Sequence, residues 1–184
     1  MLKILAFLLG ATFCVCEEMR ATCVMDPSTV GAGATVKGVV TFYQRCVDDD
    51  MVITVKVEGL EPLAADGSNK KHGFHIHELG DITTGCGATG GHYNPMGVNH
   101  GAPEDAIRHV GDFGNLDQTA DGRIDVTFRD PVASLFGELS IIGRAVVLHK
   151  KEDDLGKGGN AASLANGNAG ARVGCCVIGI AKVN

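Results

Sequence analysis

The sequence has no tryptophan, and aromatic residues make up only 5% of its 184 positions. Any core must therefore be built mainly from aliphatic and small side chains. No stretch carries apolar residues at sustained helical spacing, which argues against a helix bundle. No Cys-x-x-Cys pair occurs, so a zinc site built on cysteines is disfavoured. Clusters of Lys or Arg are also missing, and 22 acids outweigh 16 bases for a net charge of −6. That balance makes a poor binder of nucleic acid or anionic lipid and favours a small-molecule partner. There is no internal repeat, heptad pattern, P-loop or Asn-x-Ser/Thr sequon. The unbroken apolar or weakly polar run from Ile4 to Cys16 is too short for a membrane-spanning helix, which needs roughly 20 residues.

That run has a different reading. Lys3 precedes it, and small residues lead up to Glu17, with Cys14 and Cys16 at the two small-residue positions. This is the pattern of a secretory signal peptide over residues 1–16, followed by one domain over 17–184. Its removal would take away Lys3 and no acid, leaving a slightly more acidic chain. Secretion would also permit disulfides among the five remaining cysteines, Cys23, Cys46, Cys86, Cys175 and Cys176. An odd number leaves at least one thiol free or paired outside the chain.

The mature region reads as short strands separated by turns. Met51–Glu58, MVITVKVE, alternates Val and Ile with Thr, Lys and Glu, as a half-buried antiparallel strand requires. Arg20–Asp26, Ala34–Tyr43 and Arg123–Arg129 are also rich in β-branched residues, while Arg144–His149 and Cys176–Val183 are more continuously apolar. Clusters of Gly, Asp, Asn and Pro fill the gaps. The expected fold is all-β, a sandwich or flattened barrel. Two long segments, Leu79–Arg108 and Lys150–Gly170, show no strand pattern; loops of such length are usually functional or disordered.

Five of the seven histidines, His75, His77, His92, His100 and His109, lie between Gly73 and Asp112. In the extended segment GFHIH, His75 and His77 share a face and make half of a metal site on a rigid strand. His149 ends another strand and is positioned to join them. His92, His100, His109 and Asp112 supply three imidazoles and a carboxylate, a closed tetrahedral set suited to zinc. Such a set spread along a loop would also order that loop on binding the ion.

Two segments, HGFHIHE at 72–78 and GNAGARVGC at 167–175, closely resemble the two signatures of copper/zinc superoxide dismutases. The resemblance runs from about Arg20 to the C-terminus. It implies an eight-stranded antiparallel Greek-key sandwich with two long functional loops. It implies one copper per subunit on His75, His77, His92 and His149, and one zinc on His92, His100, His109 and Asp112, with His92 bridging the metals. His72 would be a structural hydrogen-bonding residue. Asp153 would link His75 and His100, Arg172 would stand over copper and orient the anionic substrate, superoxide, and Cys86–Cys175 would be an intrachain disulfide. The implied activity is the conversion of superoxide to O₂ and H₂O₂ by an extracellular enzyme of antioxidant defence, with Arg172 and His92 as the catalytic side chains.

The sequence also departs from the family pattern. Ala161, Ala162 and Ala165 stand where relatives commonly carry acids and a lysine, and Asn166 stands where a channel threonine is common. The positive field is then expected from Lys150, Lys151, Lys157 and Arg172. Cys23 and Cys176, on the first and last strands, are expected as buried thiols acting as small apolar side chains, with a second disulfide the less favoured alternative. Val177–Ile180, with Ile142–Gly143 and the turn at 80–83, matches the face through which many relatives pair, so a homodimer is expected. A copper-delivery module and a zinc hydrolase are the competing readings. The first would not need both the full copper ligand set and Arg172, and the second lacks an acid or base beside an open zinc position.

Overall fold

A computed structural model describes residues 17–183 of the chain. The expected signal peptide at 1–16 lies outside the described residues. Strands β1 (Met19–Met25), β2 (Lys37–Gln44) and β3 (Met51–Glu58) run as consecutive antiparallel neighbours, followed by β4 (Lys71–His77), β5 (Asp112–Asp117), β6 (Ile124–Asp130), β7 (Ala145–His149), β8 (Arg172–Val177) and β9 (Gly179–Ala181). They form two sheets, one ordered β6-β3-β2-β1-β9 and the other β5-β4-β7-β8. The chain leaves β3, builds β4 and β5 in the opposite sheet, and returns to place β6 beside β3. This is the all-β, two-sheet antiparallel architecture expected for a Greek-key sandwich. The last strand of the expected eight is divided: at Ile178 the chain turns inward, and β9 crosses to pair with β1.

Alternation decides which side chains meet between the sheets. In β3, Met51, Ile53, Val55 and Val57 are buried while Lys56 and Glu58 face water. From the opposite sheet, Phe74, Ile76, Val146 and Leu148 join the same core, where Phe74, Phe113 and Phe128 pack with centroids 5.8–6.4 Å apart. Full burial of each aliphatic or aromatic side chain contributes about 1.5–3 kcal/mol. Because Phe74 and Ile76 face the core, His75 and His77 must face away from it, as must His149 beside Leu148. Yet β4 is buried on both faces from His72 to His77, because the two long loops fold over its outer side. The histidines are thus held between a sheet and its cover.

Two elements differ from expectation. Strand β5, DFGNLD, has neither alternation nor β-branched residues, and its place is set by its ladder with β4. The second long loop contains a short helix, α1 (Ala161–Asn166), whose first turn is capped by Asn160 accepting from the Ser163 N–H at 2.9 Å. The expectation for Cys23 and Cys176 is also corrected: they form a disulfide between β1 and β8. The inward turn of Cys176 toward β1 brings the two Cα atoms to 5.4 Å, within disulfide reach. Cys175, its neighbour on β8, faces the other way and bonds Cys86, as the family resemblance implied. Among the described residues every cysteine is disulfide-bonded.

Once Cys86–Cys175 is closed, Cys23–Cys176 restrains a further loop of about 60 residues, for which chain entropy gives about 4 kcal/mol. Replacing both with alanine, Cys23→Ala and Cys176→Ala, is expected to lower the melting temperature of the metal-free protein by about 10 °C. Differential scanning calorimetry checks this; an unchanged melting temperature would show that the crosslink does not stabilise the fold.

Candidate metal centre

The structure brings the seven side chains singled out from the sequence into two groups with one member in common. One nitrogen from each of His75, His77, His92 and His149 lies within 4.8 Å of the others, and so do ligand atoms of His92, His100, His109 and Asp112. All of these residues are buried. His75 and His77 come from β4 and His149 from the end of β7, whereas His92, His100 and His109 come from the loop between β4 and β5 and Asp112 from the start of β5.

Hydrogen bonds determine which ring nitrogen faces inward. His77 donates from Nδ1 to the Gly90 carbonyl at 2.9 Å, and His149 from Nδ1 to the Gly170 carbonyl at 3.1 Å. Their Nε2 atoms are left 3.3 Å apart. His75 uses Nε2 toward Asp153 Oδ2 at 2.8 Å and leaves Nδ1 without a partner. The Nε2 of His92 is also buried and without a partner. A buried polar atom left in this way normally costs free energy, so these lone pairs converging on one point fit a bound metal ion.

The second group converges on the carboxylate of Asp112. Its Oδ1 lies 2.9 Å from Nδ1 of His92, 2.9 Å from Nδ1 of His100 and 3.1 Å from Nδ1 of His109. The His100 approach is close but misaligned for a hydrogen bond. Four donors around a zinc ion with bonds of about 2 Å would be separated by about 3.3 Å, close to this spacing. The outer nitrogens are satisfied here as well: His100 Nε2 faces Asp153 Oδ1 at 2.8 Å, and His109 donates from Nε2 to the Val98 carbonyl at 3.0 Å. Asp112 Oδ2 accepts the backbone N–H groups of Gly101 and His109, which fixes the carboxylate.

Electrostatics keep the rings of the first group neutral. Burial pushes His75 down to about 3 and His149 down to about 4, with the other histidines adding to the effect; His77 is lowered further for the same reasons. Burial also lowers His92, against the opposing pull of Asp112. For His100, burial is outweighed by the adjacent carboxylates of Asp112 and Asp153, and the result is a rise to about 9. Burial would raise both carboxyls, but the surrounding histidines hold Asp112 and Asp153 well below the usual carboxylate range. Neutral imidazoles and ionised carboxylates are the forms that bind metal.

The loops are fastened around these ligands. Arg108 pairs with Asp130 at 2.6 Å in the interior and donates to the carbonyls of Pro103 and His109, tying the His109 segment to the end of β6. Asp154 accepts the Ser163 hydroxyl at 2.6 Å within the second long loop, and the His100 N–H reaches the Leu164 carbonyl at 2.9 Å, which ties the first long loop to the second. Gly167 takes φ +65° at the end of α1, and a side chain there would collide with the Asp153 carboxylate. Arg172 donates to the Cys86 and Gly90 carbonyls and the Thr89 hydroxyl at 2.6–2.8 Å. Beside it opens a cleft lined by His77, His92, His149, Asn166 and Arg172. His72 lies beneath β7, between the His149 carbonyl at 2.8 Å and Gln118 at 3.1 Å.

Comparison with known proteins agrees with this geometry. The family described as copper/zinc superoxide dismutase (SODC) matches residues 36–178. The chain is 52% identical over 145 residues to an extracellular superoxide dismutase [Cu-Zn] of Drosophila melanogaster, covering 79% of this chain and 76% of that one. It is 54% identical over 146 residues to a superoxide dismutase [Cu-Zn] of Schizosaccharomyces pombe, covering 79% and 91%. The chain belongs to the copper/zinc superoxide dismutase family. Copper and zinc are therefore its metals, superoxide is its substrate, and the buried clusters of the dismutase are where metal ions fit.

Sequence reasoning did not find the carbonyls of Gly90, Val98 and Gly170, since backbone acceptors leave no trace in residue identity. It also gave no role to Tyr93, Arg108 or Arg144.

Removing the carboxylate that links the two ligand groups, Asp153→Ala, is expected to weaken zinc binding by about 10–100-fold. Chelator competition measures this; zinc affinity equal to that of the parent would remove Asp153 from the metal centre.

Proposed function

We propose that His75, His77, His92 and His149 hold copper, and that His92, His100, His109 and Asp112 hold zinc. The observation that carries the assignment is His92, whose two nitrogens face different ligand groups while the other five imidazoles each keep one nitrogen for an acceptor outside the ligand sets. Copper on the first set supplies one-electron redox chemistry, by which two superoxide ions and two protons become O₂ and H₂O₂. Arg172, fixed by three acceptors at the wall of the cleft, attracts and orients the anion. His92 holds a proton at Nε2 in one half of the cycle and releases it in the other. Asp153 and the Gly90 and Gly170 carbonyls keep the remaining rings in place while this happens.

Metal analysis combined with a dismutation assay tests the reading. One copper and one zinc per chain with cyanide-sensitive turnover is expected; zinc alone without turnover would overturn it. Arg172→Ala is expected to lower kcat/KM about tenfold or more while copper content is unchanged.

The enzyme is proposed to be secreted after loss of residues 1–16, a reading supported by the disulfides at Cys23–Cys176 and Cys86–Cys175. Intact mass of the secreted chain is expected to place the N-terminus at Glu17. Helix α1 carries no charged side chain at the rim of the cleft. Lys150 lies 3.3 Å from Glu61, which weakens its field, and Lys151 lies along Gly170. Lys151, Lys157 and Arg172 are therefore proposed to guide superoxide, with Lys150 a lesser contributor. The rate is expected to fall between low and physiological salt, and a rate independent of salt would refute this guidance.

A homodimer is proposed through the exposed side chains of Val177 and Ile180, supported by the apolar face they present. Ile178, counted in that strip from the sequence, is buried within its own subunit. Light scattering at micromolar concentration is expected to give twice the mass of one chain.

A further inference from the structure

We propose that Tyr93 is a positioning residue that fixes the orientation of His92 through a network outside both ligand groups. The inference rests on the reading that His92 is shared between the metals. His92 is the one imidazole of the centre with no external acceptor among the described residues. His75 and His100 are held by Asp153, His77 by the Gly90 carbonyl, His109 by the Val98 carbonyl and His149 by the Gly170 carbonyl. Both nitrogens of His92 face ligand groups, so no N–H remains to orient the ring from behind. Nor does His92 belong to a named strand. Its backbone meets the sheet at an isolated bridge with His77.

The neighbouring residue supplies the missing restraint. The Tyr93 N–H donates to the Ile76 carbonyl at 2.8 Å, and its own carbonyl accepts from Gly111 at 3.0 Å. A Cβ at Gly111 would collide with the Ile76 carbonyl, so this close approach of three chain segments requires glycine. In an extended segment consecutive side chains point apart, and the Tyr93 side chain is buried in the core cluster. Its hydroxyl donates to the Glu138 carbonyl at 3.0 Å. The guanidinium of Arg144 lies over its ring, 3.5 Å from the centroid. Arg144 in turn donates to the Glu78 carbonyl at 2.7 Å and to the Ser140 carbonyl at 3.1 Å. Tyr93 is thus gripped at its backbone, its ring face and its hydroxyl. Rotation of the segment that carries His92 would break all three contacts.

The test uses Cu(II) in the copper group and Co(II) in the zinc group as paramagnetic probes. A shared imidazolate couples their unpaired electrons and suppresses the Cu(II) paramagnetic resonance signal. Variants Tyr93→Phe, which loses only the hydroxyl, Tyr93→Leu, which loses the ring, and Arg144→Gln, which loses the stacked cation, are compared with the parent after metal analysis. Tyr93→Leu is expected to raise the uncoupled copper signal at least fivefold with both metals still bound, and Tyr93→Phe and Arg144→Gln to lie between it and the parent. Parental coupling in fully loaded Tyr93→Leu overturns the inference, even if its melting temperature falls. If Tyr93→Leu does not fold, parental coupling in both other variants overturns it. An uncoupled parent would instead refute the shared-His92 reading and the inference with it.

Discussion

Six imidazoles can share a buried interior only if each has a defined use for both ring nitrogens. In this protein the outer nitrogens are matched to two glycine carbonyls, the Val98 carbonyl and the two oxygens of Asp153, and the inner ones are left as converging lone pairs. Without the outer partners, the tautomers would be free to change and the lone pairs would not meet. With them, the empty directions of the rings define two adjacent groups of donors that could each hold a metal ion. Asp153 matters most in this scheme, since its two oxygens restrain one histidine from each set.

The sandwich makes these hydrogen bonds possible by acting as a rigid floor. The core on the inner face of the β4–β7 sheet fixes which residues of β4 and β7 face outward, and the loops close over that outer face. Long loops would ordinarily be costly to order, since fixing each backbone residue costs about 1–2 kcal/mol. Here they are tied down by the Arg108–Asp130 pair, the Asp154–Ser163 bond and the Cys86–Cys175 disulfide. Arg172 shares this arrangement, because the loop carbonyls that hold it belong to the same segment that orients His77.

Legibility followed the kind of physics involved. The alternation in MVITVKVE and the His-x-His spacing express the period of a strand, which residue identity records directly. Strand β5 was not legible, because DFGNLD has no pattern of its own and takes its form from β4. The pairing of Cys23 with Cys176 was not legible either, since it depends on the last strand turning at Ile178 toward the opposite sheet. The same turn buries Ile178 and narrows the apolar face to Val177 and Ile180. Lys150 counted as a free charge in the sequence, and only folding brought Glu61 to it across most of a hundred residues.

The sequence by itself determined the donor set: which histidines and aspartates exist, that His75 and His77 share a face, and that the chain carries the dismutase signatures. Tertiary structure alone decided which nitrogen of each ring points inward, because that choice is made by carbonyls and carboxylates distant in the chain. It also decided that His92 faces both groups with no anchor behind it, so its restraint comes from Tyr93, Arg144 and Glu138. Those contacts join segments separated by about fifty residues, and their geometry exists only once the loop between β4 and β5 has closed on the sheet.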